Sequence, residues 1–399
     1  MLIELGQQMK VMSLGGGVWQ VDLIRRLVEM GHETLVADIN PNCPGRSVGH
    51  TYICVDTSDR YVMLKIARLH GVALVLAEQS DRFVTVAAYV NEKLNLPGPR
   101  PPVAERFTNK LAMRQQLLGI VKMPAFQEVD CVEDALAFGE REGYPLILKP
   151  KAAQSSIGVY KIDIPQHIRD RFPASLTASR DGQLLVERFI EGPEITVEGV
   201  SINGDFHALA ISEKTHYAFN PCVAKRLSYP PRYEERLMKR IRKVGKTVVE
   251  TLGLKDGISH AEYRLREGDP YLIEVAARGG GTRIASRIVP HVCGFDVYSL
   301  LVRRLLGEEV VLPMIGNRAA VLNFLDFEGG KVKAIYGVEQ AQREGLAEEI
   351  VLAFNIGDFI HRPEDDRQRL GYSIVFGENR DDVDARCQRI EELIQVEYE

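Results

Sequence analysis

The chain has 399 residues, 45% hydrophobic and 26% charged, which is too long for one compact core and predicts two or three domains. A net charge of -5 and a pI near 6.1 leave no broad basic surface, which argues against nucleic acid as the main partner. Six cysteines lack C-x-x-C spacing, which argues against zinc and a disulfide framework, and no apolar run approaches the roughly 18 residues of a membrane helix. The expectation is a cytoplasmic protein with no membrane partner.

The residues before Met9 read as a short extension or an upstream start. From Lys10 the pattern runs strand (10–14), glycines (Gly15, Gly16, Gly17), helix (18–30) and strand (34–39), a βαβ unit. A second round follows: strand 52–55, helix 58–69 and an apolar strand 72–77 that ends in Glu78-Gln79-Ser80-Asp81. Such repeats predict a parallel sheet with ligand-facing loops at the strand ends. Gly15-x-Gly17 with Asp38 downstream imitates a dinucleotide fingerprint, but position 20 is Gln where the third glycine belongs. A tight turn that lets helix and sheet pack closely explains these glycines, and NAD is not placed there.

The Pro-rich stretch 97–102 reads as a boundary. A helix over 103–118 carries Asn109 and Lys110, and an α+β segment over 121–188 contains a buried strand, 144–150, that ends in a lysine. The remainder alternates strands with helices at 232–252 and 294–306. Strands near 319–326, 350–354 and 371–376 and a helix over 380–396 close it. The domain plan is 1–104, 105–188 and 189–399.

The strongest chemical signal is the segment 260–278, two strands around a Gly-Asp-Pro turn. A hairpin centred on Gly268 sets Glu262 opposite Glu274, and the period-2 pleat turns His260, Glu262, Glu274 and Arg278 to one face. Opposed carboxylates repel. Mg2+ between them would remove the conflict, since it takes oxygen ligands from one or two carboxylates plus substrate phosphates. The rival explanation is an ordinary salt-bridge lattice in which Arg264 and Arg278 neutralise the pair. Lys149, at a strand end, is followed by the small polar loop 152–159 with Ser155, Ser156 and Gly158, a lysine beside backbone donors that suits phosphate oxygens. Further on, Glu187-Arg188-Phe189-Ile190 runs from an apolar strand into a turn. Its backbone and Glu187 can read an adenine edge, and Glu194 can accept from ribose hydroxyls; an interdomain hinge is the plainer explanation.

Taken in order, Lys110, Lys149, the Ser-Ser-x-Gly loop, Glu187 to Ile190, Glu194, Glu262, Glu274 and Arg278 resemble the ATP-grasp superfamily along nearly the whole chain. The Glu-x-Ala-Ala-Arg-Gly-Gly-Gly stretch, 274–281, is most similar to its amino-acid ligases and carboxylate-amine ligases. The resemblance implies an α/β and α+β protein with a Rossmann-like N-terminal domain, a small lid domain and a C-terminal α+β catalytic domain. It implies ATP clamped between two α+β domains, with Lys110 and Lys149 on its phosphates and the small-residue loop as a mobile lid. Glu262 and Glu274 would hold Mg2+, with Mn2+ as a substitute, and Arg278 would steady an acyl phosphate. The activity implied is an ATP-dependent carbon-nitrogen ligase acting on small carboxylates and amines, and the resemblance suggests a homodimer.

Two departures stand out. Ala276 occupies a position where relatives often carry Asn, so one metal ion has fewer protein ligands, and the lid loop has fewer glycines than usual. Arg283 and Arg287 follow Arg278 and could grip a second carboxylate, or be surface charges. Lys214 and His216 precede a turn and face nucleotide or substrate, and Glu78 to Asp81 either border the carboxylate pocket or cap the next helix. Three other functions compete: a bicarbonate-using carboxylase or carbamoyl-phosphate-synthase-like enzyme, an NAD oxidoreductase, and a nucleotide sensor without catalysis.

Overall fold

The computed structural model describes residues 8–179 and 181–399; residues 1–7, most of the expected N-terminal extension, lie outside the described residues. The first sheet is parallel and contains β1 (Lys10–Leu14), β2 (Glu33–Asp38), β3 (Thr51–Cys54) and β4 (Leu74–Ala77), in the order β3-β2-β1-β4. Val11, Met12 and Leu14 are fully buried, as expected of a parallel strand covered on both faces. The glycine loop after β1 is satisfied internally. Asp38 accepts from Gly16 N at 2.7 Å and from Asn40 N at 2.8 Å, which occupies the carboxylate that a dinucleotide ribose would need. A side chain at Gly16 would collide with Val36 and Cys43, so these glycines serve close packing.

The single helix expected over 103–118 is two helices, Pro101–Thr108 and Lys110–Leu117. Asn109 leaves the helical conformation (φ -117°, ψ 110°), and its side chain accepts from Leu111 N and Ala112 N. The same asparagine therefore ends one helix and caps the next.

The second sheet contains β5 (Phe126–Val129), β6 (Leu146–Pro150), β7 (Tyr160–Ile162) and β8 (Leu184–Arg188), antiparallel in the order β5-β8-β6-β7. Leu146, Leu148, Ile162 and Val186 pack with Phe138 and Phe172 from the helices Val132–Glu142 and Pro165–Ala178. The opposite face is left for the site.

The remaining strands are β9 (Glu194–Ile202), β10 (Asp205–Tyr217), β11 (Asn220–Tyr229), β12 (Gly257–Arg266), β13 (Asp269–Ala276), β14 (Ala319–Phe324), β15 (Gly330–Tyr336), β16 (Glu349–Leu352), β17 (Phe359–Ile360), β18 (Gly371–Gly377) and β19 (Gln395–Tyr398). Eight of them form an antiparallel sheet, β13-β12-β9-β10-β11-β14-β18-β16, and three form a smaller one, β17-β15-β19. Val11, Leu23, Leu27 and Leu74 of the first unit share one core with the helix Val297–Leu305 and the large sheet. Residues of the first unit are thereby fixed relative to the hairpin. Among the described residues no helix is long and apolar enough to cross a membrane.

The hairpin pairs as expected, Glu262 opposite Glu274, but by a different route. Its turn is Glu267-Gly268, both left-handed (φ 54° and 77°), and Asp269 and Pro270 already belong to β13. A bulge between Glu262 and Tyr263 then shifts the register by one residue and restores the pairing.

Candidate active site

A cavity of about 880 Å³ lies between the second sheet and the large sheet. Adjacent strands of the large sheet present its charged wall: Glu274 on β13, Glu262 and Arg264 on β12, Glu194 on β9, and Lys214 and His216 on β10. Register explains the grouping, because Glu194 is paired with both Lys214 and Arg264, and Glu262 with both Thr196 and Glu274. Each metal-candidate carboxylate holds a lysine: Lys214 Nζ is 2.8 Å from Glu262, and Lys110 Nζ is 3.0 Å from Glu274. The salt-bridge lattice expected from Arg264 and Arg278 is therefore built from other cations. Arg264 binds Glu194 at 2.9 Å, and Arg278 binds Asp81 at 2.5 Å.

Lys149 ends β6 almost completely buried, 2.7 Å from Glu187 on β8. Arg114, on the helix Lys110–Leu117 and fully buried, donates to the other oxygen of Glu187 at 2.6 Å and to the carbonyls of Leu272 and Ile273 on β13. One arginine thus ties the second sheet to the strand carrying Glu274. Burial alone would raise the Glu187 carboxyl, but Arg114 and Lys149 hold it down to about 2. Its acceptor capacity for an adenine edge is shared with two cations already in place. Arg188 turns away from the cavity and donates to the Glu142 carbonyl, so its contribution there comes through the backbone; Phe189 and Ile190 also line the wall.

Burial would also raise Glu194, yet Lys214 and His216 bring it to about 2. Lys214 bridges Glu194 and Glu262 and is held above its usual value by them, against burial. His260 donates toward Glu198 at 2.6 Å and toward Glu262 at 3.3 Å; burial opposes its charge, but the two carboxylates raise it to about 10. Ala276 lies opposite His260 on the cavity wall and offers no side-chain oxygen.

The loop after β6 crosses the cavity. Lys110 Nζ donates to Ala153 O at 2.6 Å, and Gln154 accepts from Asp81 N at 2.9 Å. Ser155 and Ser156 line the cavity, whereas Gly158 packs outside it against Ala178 and Pro150. Asp81 holds Arg278, and Ser80 makes no side-chain cap, so this strand end borders the site. Glu78 is buried behind Gly279, accepts from Tyr298 Oη at 2.7 Å, and is raised by burial to about 7. A side chain at Gly279 would strike Ala285 and Glu78, which explains a glycine there. Beyond Gly281, Thr282 and Arg283 are left-handed (φ 49° and 64°) and lead into a π-turn, Ile284–Ile288.

Arg283 lines the cavity but pairs with Asp22 at 2.7 Å. Arg287 lies outside it, engaged by Glu348 and Glu349 at 2.7 and 2.8 Å. Sequence reading missed Arg114, Glu198, Asp366 and Arg369. Only Glu198 carried a readable signal, as a charge within an otherwise apolar strand.

The residues fit a magnesium nucleotide. Two opposed carboxylates contact their lysines through one oxygen each, and Lys110, Lys149, the backbone of 188–190 and the serine loop surround the same space. Residues 142–286 match the family described as ATP-grasp domain, and residues 323–399 match the L-amino acid ligase C-terminal domain 2. The chain carries an ATP-grasp domain.

An L-amino acid ligase from Bacillus licheniformis has the same fold, with TM-score 0.84 and 20% identity over 98% of this chain and 99% of that one. The alanine–anticapsin ligase of Bacillus subtilis strain 168 is 29% identical over 281 residues, 63% of this chain and 58% of the relative. The L-arginine-specific L-amino acid ligase of Bacillus subtilis is 23% identical over 337 residues, 82% of this chain and 80% of the relative. This ATP-grasp chain also spans 66% of an uncharacterized Sinorhizobium fredii protein that it matches at 25% identity over 325 residues. Its ATP-grasp relatives are carboxylate-amine ligases, enzymes that form carbon-nitrogen bonds.

Proposed function

We propose that the protein uses MgATP to activate a small carboxylate, with an amino acid as the first class to test, and joins it to an amine as an amide. The observation that carries this reading is the convergence of Glu262, Glu274, Lys110, Lys149, Lys214 and Arg278 on one cavity. The division of labour follows the plan 1–104 for substrate-side loops, 105–188 for the lid and 189–399 for catalysis.

The carboxylate oxygen attacks the γ-phosphate, giving an acyl phosphate and ADP; the amine then attacks the acyl carbon and phosphate leaves. Phosphoryl transfer asks the protein for alignment and charge neutralisation more than for covalent chemistry. Mg2+, when bound by Glu262 and Glu274, supplies positive charge to the phosphate oxygens; Mn2+ offers the same ligand chemistry. Lys110 and Lys149 neutralise the phosphates, and their carboxylate partners, Glu274 and the buried Glu187, fix where those charges sit. Lys214, anchored between Glu194 and Glu262, holds the ribose-side and metal-side carboxylates in register. Arg278, held by Asp81, presents a planar donor fork to the acyl phosphate. The serine loop covers the reacting atoms and excludes water while the acyl phosphate exists.

Phosphate release from MgATP, measured with pools of amino acids and small carboxylates with and without bicarbonate, tests this reading. Amine-dependent release with a product mass of acid plus amine minus water is expected. Release that requires bicarbonate and no amine would replace it with a carboxylase reading.

A further inference from the structure

The loop over the cavity contains two successive residues, Ser155 and Ser156, in the left-handed region, with φ of 60° and 57°. Non-glycine residues there are strained and persist only where surroundings hold them. What surrounds them comes from far along the chain. Asp366 N donates to Ser155 O at 3.2 Å, and Ser156 Oγ donates to Asp366 Oδ2 at 3.3 Å.

Asp366 is itself rigidly mounted. It opens a short 3-10 turn, Asp366–Gln368, capped by Asp365, whose carboxylate accepts from Arg367 N at 2.9 Å. Its Oδ1 accepts from Ala224 N of β11 at 3.4 Å and lies 3.0 Å from Arg369. Arg369 Nε donates to Asp366 O at 2.9 Å, its NH1 donates to Ala224 O, and its guanidinium carbon lies over the Phe324 ring on β14, 3.5 Å from the ring centre. Asp366 thus joins the loop of the second sheet to the frame of the large one.

We propose that Asp366 is a positioning residue that clasps the Ser155-Ser156 turn over the nucleotide, so that lid closure is set by the C-terminal segment as well as by the nucleotide. The inference rests on the nucleotide reading of the cavity and goes beyond it. The strained turn gives the clasp a direction: once the contacts to Asp366 are broken, the backbone relaxes and the lid opens.

A double-mutant cycle on MgATP affinity tests this, read by equilibrium binding of a fluorescent ATP analogue with Mg2+ and no other substrate. Asp366→Ala should weaken binding about tenfold, the scale of one or two net hydrogen bonds. Ser156→Ala should weaken it too, and the double variant should be no weaker than the worse single variant, because both remove one contact. Asp366→Asn should restore most of the affinity, since its amide can donate to Ser156 Oγ while its carbonyl still accepts from Ala224 N. Ser155→Gly with Ser156→Gly should suppress the Asp366→Ala defect by removing the left-handed cost. Additive losses, or no effect of Asp366→Ala in a folded protein, would overturn the clasp while leaving the nucleotide site standing. If Asp366→Ala does not fold, Ser156→Ala decides alone: wild-type affinity in that variant sinks the proposal. Failure of the wild-type chain to bind MgATP would overturn the proposed function and the clasp together.

Discussion

Glu262 and Glu274 face each other across β12 and β13, and each meets a lysine from a different part of the chain, Lys214 at 2.8 Å and Lys110 at 3.0 Å. Each of the two like charges is thus answered by a cation that also lines the cavity. Each carboxylate meets its lysine through one oxygen, which leaves the other for a metal.

Glu274→Ala should abolish turnover while leaving the fold intact. The side chain is partly exposed, so little packing is lost. Even outer-sphere partners of a metal typically cost 10–100-fold, so loss of a direct ligand should reduce phosphate release by more than about 100-fold. Retained release would remove Glu274 from the metal set, and weakened Mn2+ binding in the same variant provides a readout independent of turnover.

Arg278→Lys should lower turnover by about 100-fold or more, comparable to deleting one donor that stabilises transition-state charge. A point charge cannot reproduce the fork that Asp81 holds at 2.5 Å. Wild-type rates in this variant would exclude Arg278 from the reacting centre.

Glu187→Gln should destabilise the protein by about 3–5 kcal/mol, because it leaves Lys149 and Arg114 buried around a group that no longer balances them. Urea denaturation near neutral pH measures this directly. A change below 1 kcal/mol would mean that Lys149, whose pKa burial pushes down, is neutral in the folded protein.

Glu78 gives stability a pH dependence opposite in sign to that of Glu187. Burial raises its folded pKa from the usual 4.5 to about 7, so folding takes up a proton between these values and stability falls as pH rises through that window. The loss should be on the order of 3 kcal/mol by pH 8, and Glu78→Gln should flatten it. Glu187, depressed to about 2, contributes stability that is complete above pH 4.5 and is lost as pH falls toward 2. Denaturation midpoints of wild type and Glu78→Gln compared between pH 4.5 and 6.5, below the range in which His260, raised from 6.5 to about 10, adds a loss of the same sign, test the first effect, and an unchanged slope in Glu78→Gln would show that Glu78 is not its source.

Much of the architecture was readable because it is written in local periodicity. The strand over 10–14 is β1 itself, and the parallel sheet follows from alternating apolar runs and helical stretches. The break at Asn109 is also encoded locally, as a helix cap in the middle of a helical pattern whose flanks read as continuous. Asp366 gave no local signal, since its partners Ser155, Ser156 and Ala224 are all more than a hundred residues away.

By itself the sequence determined which residues are charged within apolar strands, and the pleat then forced Glu262 and Glu274 onto one face near one another. Tertiary structure decided which cation answers each carboxylate. Lys214 rather than Arg264 meets Glu262, Lys110 rather than Arg278 meets Glu274, and Arg287 lies outside the cavity. The reason is physical: a strand's period fixes the face a side chain occupies, but partners within 3 Å are set by strand order, a one-residue bulge and helices docked from elsewhere in the chain.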